Sequence, residues 1–167
     1  KNINVLNVLS QIAQKMGDVD TTINSLKKIL LFDKSNIECI SKIYKLLLTK
    51  SLLDEALANI NLILRIDKDH YEAIRDKAYI YFLKNNFDKA KKYIDNISKL
   101  EEKDFFAYNI KGLIYFKNSN FLEAKNYFEQ AIKINSKYVD SYNNLGICLL
   151  ELEKLDEAYT VFKDAHE

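Results

Sequence analysis

The chain has no proline, no tryptophan, one methionine and only three glycines in 167 residues. A flexible linker between domains needs glycine, serine or proline in concentration, and no such stretch occurs, so residues 1–167 read as one uninterrupted array. Charge of either sign is balanced, with 25 basic and 24 acidic side chains and a net +1. This excludes the basic stripe that a nucleic-acid binder shows, and no nucleic-acid partner is expected. Cysteine is equally sparse. Cys39 and Cys148 fall on repeats separated by two others, too far apart for the short Cα–Cα distance of a disulfide, and are expected as buried thiols. No apolar run approaches the roughly 20 residues that span a bilayer, and no signal-peptide pattern opens the chain. The sequence begins without methionine and inside a repeat, which suggests a piece of a longer protein. The cytoplasm is the expected location. Only Arg65 and Arg75 are arginine, a bias that an AT-rich genome explains better than function does.

What is present is a period of 34. Ala56, Ala90, Ala124 and Ala158 stand at that interval, each preceded by three positions by Leu53, Phe87, Phe121 or Leu155. Val19 and Thr22 continue the register backwards. Five repeats follow without insertion, at residues 3–36, 37–70, 71–104, 105–138 and 139–167, the last cut short. Within the fourth, Tyr108, Lys111, Gly112, Tyr115 and Phe116 lie at helical spacing, Lys117 to Asn120 form a polar turn, and Phe121, Ala124, Phe128, Ala131 and Ile132 resume the pattern, so each repeat predicts two amphipathic helices. Ser35 with Glu38 and Asp69 with Glu72 have capping-box spacing.

Tyr142, Leu145, Gly146, Leu149, Ala158, Phe162 and Ala165, and in the fourth repeat Tyr108, Gly112, Tyr115, Ala124, Phe128 and Ala131, resemble the tetratricopeptide pattern of a large residue, Leu-Gly, a bulky residue, Ala, an aromatic and Ala. The resemblance covers essentially the whole chain. It implies an all-α fold, a right-handed superhelix of antiparallel helix pairs whose leading helices line a concave groove. Departures are informative. The family's proline after the second helix is replaced by Lys34, Lys68, Glu102 and Ser136, with Asp33, Asp67 and Asn135 one residue earlier able to supply turn chemistry. Ser10, Tyr44 and Ala78 replace Gly112 and Gly146, and Ile29, Ile63 and Ile97 replace Ala131 and Ala165, which should hold the helices around Tyr44 farther apart than those around Gly112. Lys77 and Lys111 stand where other repeats have Leu9, Ile43 and Leu145, and their ammonium groups are expected to reach water.

No catalytic, cofactor or metal site is expected. His70 and His166 lie almost three repeats apart without ligands at metal spacing, phosphate-loop and hydrolase motifs are absent, and Glu101-Glu102 read as solvated charges near a helix end. This stretch is therefore not expected to be an enzyme.

Groove positions carried over from the family fall on Asn7 and Gln11, then Lys42 and Lys45, then Arg75, Tyr79 and Phe82. Phe106, Asn109, Leu113 and Phe116 follow, and Asn143, Asn144 and Ile147 close the series, with Glu38, Glu72, Asp76, Asp140 and Glu151 interspersed. Phe82 and Phe116 are divided between packing and exposure, and Tyr79 and Leu113 are expected to be open. No three consecutive repeats supply the lysine, asparagine and arginine set that clamps a terminal carboxylate in chaperone-binding relatives. The expected function is a non-catalytic scaffold that binds an extended protein segment or helix. The alternative is the substrate-recruiting arm of a larger glycosyl- or sulfotransferase, which Tyr142-Asn143-Asn144-Leu145-Gly146 resembles. Uncapped ends would also permit end-to-end self-association.

Overall fold

A computed structural model describes residues 3–95, 97 and 104–165. Glu101-Glu102 and His166 lie outside these. Ten helices are described: α1 Ile3–Lys15, α2 Val19–Leu30, α3 Ile37–Thr49, α4 Leu53–Ile66, α5 Tyr71–Leu83, α6 Phe87–Asp95, α7 Phe105–Lys117, α8 Phe121–Ile134, α9 Val139–Glu151 and α10 Leu155–Asp164. The odd-numbered helices begin 34 residues apart, and so do the even-numbered ones. By packing the chain divides into two units, Lys1–Lys77 and Ala78–Glu167, with the division inside α5.

The turn within each repeat has one geometry. Gly17, Ser51, Asn85, Ser119 and Glu153, again 34 apart, all have positive φ, between +56° and +74°. The N–H of each donates to a carbonyl three residues back, as Ser51 does to Leu48, and the next N–H reaches five residues back, as Leu52 does to Leu47 at 2.9 Å. These paired bonds satisfy the last carbonyls of the leading helix. Four of the five positions lack the glycine that this conformation favours.

Turns between repeats are set by side chains. Asp33 Oδ1 accepts from Ser35 N, Asp67 Oδ1 from Asp69 N and Asn135 Oδ1 from Lys137 N, which turns the chain without the missing proline. The expected capping boxes do not form. Asn36, not Ser35, caps α3 by accepting from Cys39 N, and Ser35 is turned back onto Asp33. At α5 His70 Nδ1 accepts from Ala73 N, while Asp69 is engaged at Asp67. The cap lies one residue later than the spacing suggested, because the side chain must follow the turn that the preceding Asx residue has already fixed.

In the N-terminal unit the core holds Leu26 and Ile29 of α2, Ile40, Ile43, Tyr44 and Leu47 of α3, and Ala56, Ile60 and Ile63 of α4. In the C-terminal unit Ala78, Ala90, Ile94, Ile110 and Ile114 form one cluster. Ala124, Phe128, Leu145, Cys148, Leu149 and Ala158 form another. Both cysteines are free and buried. Burial pushes both thiols up, Cys148 to about 11, so they stay protonated and unreactive.

Gly112 and Gly146 are required by aromatic rings. A Cβ on Gly112 would lie 2.5 Å from a Phe128 ring carbon, and one on Gly146 would run into the ring of Phe162. Where the leading helix has Ser10, Tyr44 or Ala78 instead, the register position of those rings holds Leu26, Ile60 or Ile94. Size on one helix is thus exchanged against size on the other.

The lysines expected to reach water are held inside. Lys111 Nζ lies 3.8 Å from Asp95 Oδ1 and over the Tyr127 ring, and Lys77 Nζ donates to Asn61 Oδ1 at 2.7 Å. A carboxylate, an amide and a ring face replace the hydration that burial removes.

Two predictions follow from the local geometry. Replacing Glu153 by glycine removes the cost of a left-handed non-glycine residue and should raise stability by about 0.5–1 kcal/mol in urea denaturation, with a smaller gain for Asn85→Gly because asparagine tolerates this conformation. Gly112→Ala should destabilise, since overpacking costs about 1–3 kcal/mol against about 1 kcal/mol gained in helix propensity. Gly146→Ala should cost less, because Phe162 is 37% exposed and has room to swing aside.

Candidate functional site

A cleft bordered by leading helices lies in each unit. In the N-terminal unit, Asn7, Ser10, Gln11 and Gln14 of α1 face Glu38, Cys39 and Lys42 of α3 across Thr22, Leu26 and Ile29 of α2. This space, about 410 Å³, is polar at its rim. Asn7 and Gln11 are exposed, but the lysines are neutralised: Lys42 Nζ pairs with Glu38 at 2.6 Å and Lys45 Nζ with Glu72 at 3.0 Å. The ammonium of Lys42 is the first cause holding Glu38 below the usual carboxylate range, and that of Lys45 does the same for Glu72.

Arg75 and Asp76 are not open groove residues. Asp76 is buried, its Oδ1 accepts from Arg75 Nε at 2.7 Å, and its Oδ2 accepts from the Tyr44 hydroxyl at 2.8 Å. Burial foremost, then the Asp76 charge, raises the Tyr44 phenol far above its ordinary value, so it is a permanent donor. The triad joins α3 to α5 within the N-terminal unit.

The cleft of the C-terminal unit is lined by Tyr79 of α5, Phe106, Asn109 and Leu113 of α7, Tyr138 of the inter-repeat turn, and Asp140, Asn143 and Asn144 of α9, around a space of about 340 Å³. Tyr79 meets Phe106 edge-on, with centroids 5.5 Å apart, and Phe105 packs against Tyr138 at 4.9 Å. The Tyr138 hydroxyl is pushed up to about 12, first by burial and then by the Asp140 carboxylate beside it. Seven residues assigned to the groove from sequence, Tyr79, Phe106, Asn109, Leu113, Asp140, Asn143 and Asn144, come together here.

They are not equivalent. Asn143 is exposed, whereas Asn109 is buried and its Oδ1 accepts from both Ser141 Oγ at 3.1 Å and Asn144 Nδ2 at 3.0 Å. Two asparagines assigned to the groove are therefore bonded to each other across α7 and α9. Ile110, next to Asn109 on α7, is fully buried. Tyr79 and Leu113, expected to be open, are half-buried, as are Phe82 and Phe116, which pack at 5.7 and 5.3 Å against Phe87 and Phe121. Ile147 is exposed outside the cleft lining. Sequence reasoning missed Tyr138, which precedes its leading helix at the cap position where Asn36, His70 and Asp104 bond to backbone amides; an aromatic there, with no cap to offer, was the available signal.

Among the described residues no group of histidine, cysteine and carboxylate side chains is placed to hold a metal ion. None of their helices is long and apolar enough to cross a membrane.

Comparison with known proteins gives a consistent picture. A family model described as Tetratricopeptide repeat matches residues 72–104 and 107–138, and a second of the same description matches 127–160; together they span more than half of the chain. No curated protein matches in sequence. Among solved structures, MamA residues 41 to the end from Desulfovibrio magneticus RS-1 superposes with a TM-score of 0.84 at 15% identity, covering 98% of this chain and 93% of that one. A tetratricopeptide repeat protein from Parabacteroides merdae ATCC 43184 gives 0.81 at 19% identity, covering 99% of this chain and 64% of that one. YrrB, described as a protein of the same repeat class with an unusual peptide-binding site, gives 0.70 at 16%, covering 93% and 80%.

Removing the Asn109 side chain should separate packing from recognition. Asn109→Ala leaves the Ser141 hydroxyl and Asn144 amide without their acceptor and should cost about 1–3 kcal/mol, whereas Asn143→Ala, at an exposed site, should stay within about 0.5 kcal/mol of the parent, both read by chemical denaturation.

Proposed function

Because the chain belongs to the tetratricopeptide-repeat family and folds as an all-α solenoid of that class, we propose that it is a non-catalytic protein-interaction scaffold whose C-terminal unit takes an extended peptide in the cleft between Tyr79 and Asn143. The observation that carries this reading is the cleft itself. It joins half-buried aromatic and aliphatic walls to exposed polar groups on adjacent leading helices, the combination of apolar floor and polar rim by which interfaces gain affinity and register. Asn143 on the rim is available to peptide backbone. The likeness of fold to YrrB, whose description names a peptide-binding site, points the same way.

The experiment is affinity capture with the chain and its variants. Leu113→Ser and Tyr79→Ser should abolish capture while helicity by circular dichroism is kept. Since both residues also pack against core clusters, the exposed substitution Asn143→Lys serves as the second arm. It should reduce capture at least severalfold without changing the melting temperature, and undiminished capture by this folded variant counts against the cleft.

A second reading, self-association, is favoured by exposed apolar side chains on α1 and α10. Val5, Leu9 and Ile12 of α1 are 61%, 42% and 50% exposed, whereas Cys39, Ile43, Ala107, Ile114, Leu145 and Cys148, at the same register positions, are buried. In those repeats the preceding second helix packs on the leading one, α2 on α3, α6 on α7 and α8 on α9. On α10, Leu155 and Tyr159 are exposed in turn. One copy's α10 would supply to another's α1 the cover found inside the array, a heterologous contact that need not close. Val5→Lys combined with Ile12→Lys should abolish concentration-dependent mass in light scattering without loss of stability.

A further inference from the structure

We infer that the C-terminal cleft selects a cationic side chain, lysine or arginine, from the peptide it binds; this rests on the reading of the cleft as a peptide site. Asp140 is the only ionised side chain among the described lining residues, and it is exposed at the start of α9. None of the ion pairs described for the chain involves it: in the N-terminal unit they join Lys42 to Glu38, Lys45 to Glu72, Lys50 to Asp20, Lys68 to Asp69 and Arg75 to Asp76, and in the C-terminal unit lysines pair with Asp95, Glu129 and Glu157. Beside it stands the Tyr138 ring, fixed by Phe105 at 4.9 Å, whose phenol responds to the Asp140 charge. The remaining polar groups, Asn109, Asn143 and Asn144, are neutral.

A carboxylate next to an aromatic ring is a receptor for a cation. The ring face attracts positive charge through its quadrupole, and the carboxylate pairs with the charged head at the rim. An anionic side chain would meet Asp140 with no lysine or arginine in the lining to offset it, and an apolar one would leave the carboxylate partly desolvated and unpaired. Long basic side chains also suit a cleft with apolar walls and a wet mouth, since the methylene stem packs while the head stays at the rim.

The test is selection from a random dodecapeptide display library by the chain and by Asp140→Asn. Asp140 lies in the first turn of α9, where a carboxylate also favours the helix dipole, so the variant is first shown to keep the parent melting temperature within a few degrees. Wild type should enrich lysine or arginine at one position several-fold over the input library, and the variant should lose that enrichment. A selected peptide with its basic residue replaced by glutamine should bind wild type about tenfold more weakly by fluorescence anisotropy, a loss of about 1.4 kcal/mol, and bind Asp140→Asn with little further change. Peptides selected without basic enrichment, or with enrichment that persists in Asp140→Asn, would overturn the charge preference and leave the peptide site standing. Selection of no peptide at all would overturn both.

Discussion

No helix pair in this chain can cover its own apolar faces, and that constraint organises everything else. The second helices α2 and α8 each pack on their own leading helix and on the leading helix that follows, so the cluster around Phe128 contains residues of α8, α9 and α10 together. Cys148 marks one such contact between α9 and α8: its thiol donates to the Phe121 carbonyl at 3.1 Å. Stability is then a sum of neighbour contacts.

The same demand explains where polar groups go. Within each unit successive leading helices are tied by a buried polar bridge, Tyr44 and Arg75 to Asp76 in one and Ser141 and Asn144 to Asn109 in the other. Apolar packing tolerates sliding by a fraction of a turn, whereas a hydrogen bond to a buried acceptor loses most of its worth once the distance grows. These bridges pin the stagger of adjacent leading helices. They also consume side chains at positions that the family resemblance assigns to the groove, so part of that series is structural.

Much of this was legible in the sequence, and the limits are instructive. The 34-residue register placed all ten helices because alanine, glycine and aromatics at contact positions are dictated by backbone approach, a local and repeated requirement. It also marked Asp33, Asp67 and Asn135 as turn formers. It misplaced the caps at Ser35 and Asp69 by one residue, since spacing alone cannot say that the preceding Asx turn has already engaged them. It assigned Arg75, Asp76 and Asn109 to the groove because a position on a helix says which way a side chain starts, not whether a residue 32 positions away, such as Tyr44 or Ser141, will meet it. Tyr138 escaped because it belongs to no helix.

Recognition in a repeat array must come from what the repeat leaves undetermined. Contact positions are fixed by packing, and the left-handed turn residue is fixed by its conformation. The position before each leading helix needs only to let the helix start. In three repeats it holds Asn36, His70 and Asp104, which bond to backbone amides of the first turn. In the fifth it holds Tyr138, which gives up the cap, worth about 1 kcal/mol, and places a ring at the mouth of the cleft beside Asp140. A residue that forgoes local stabilisation to present an aromatic surface next to a carboxylate is the kind of exception that consistency across the other repeats brings out, and it is where the chain departs from scaffold toward selectivity.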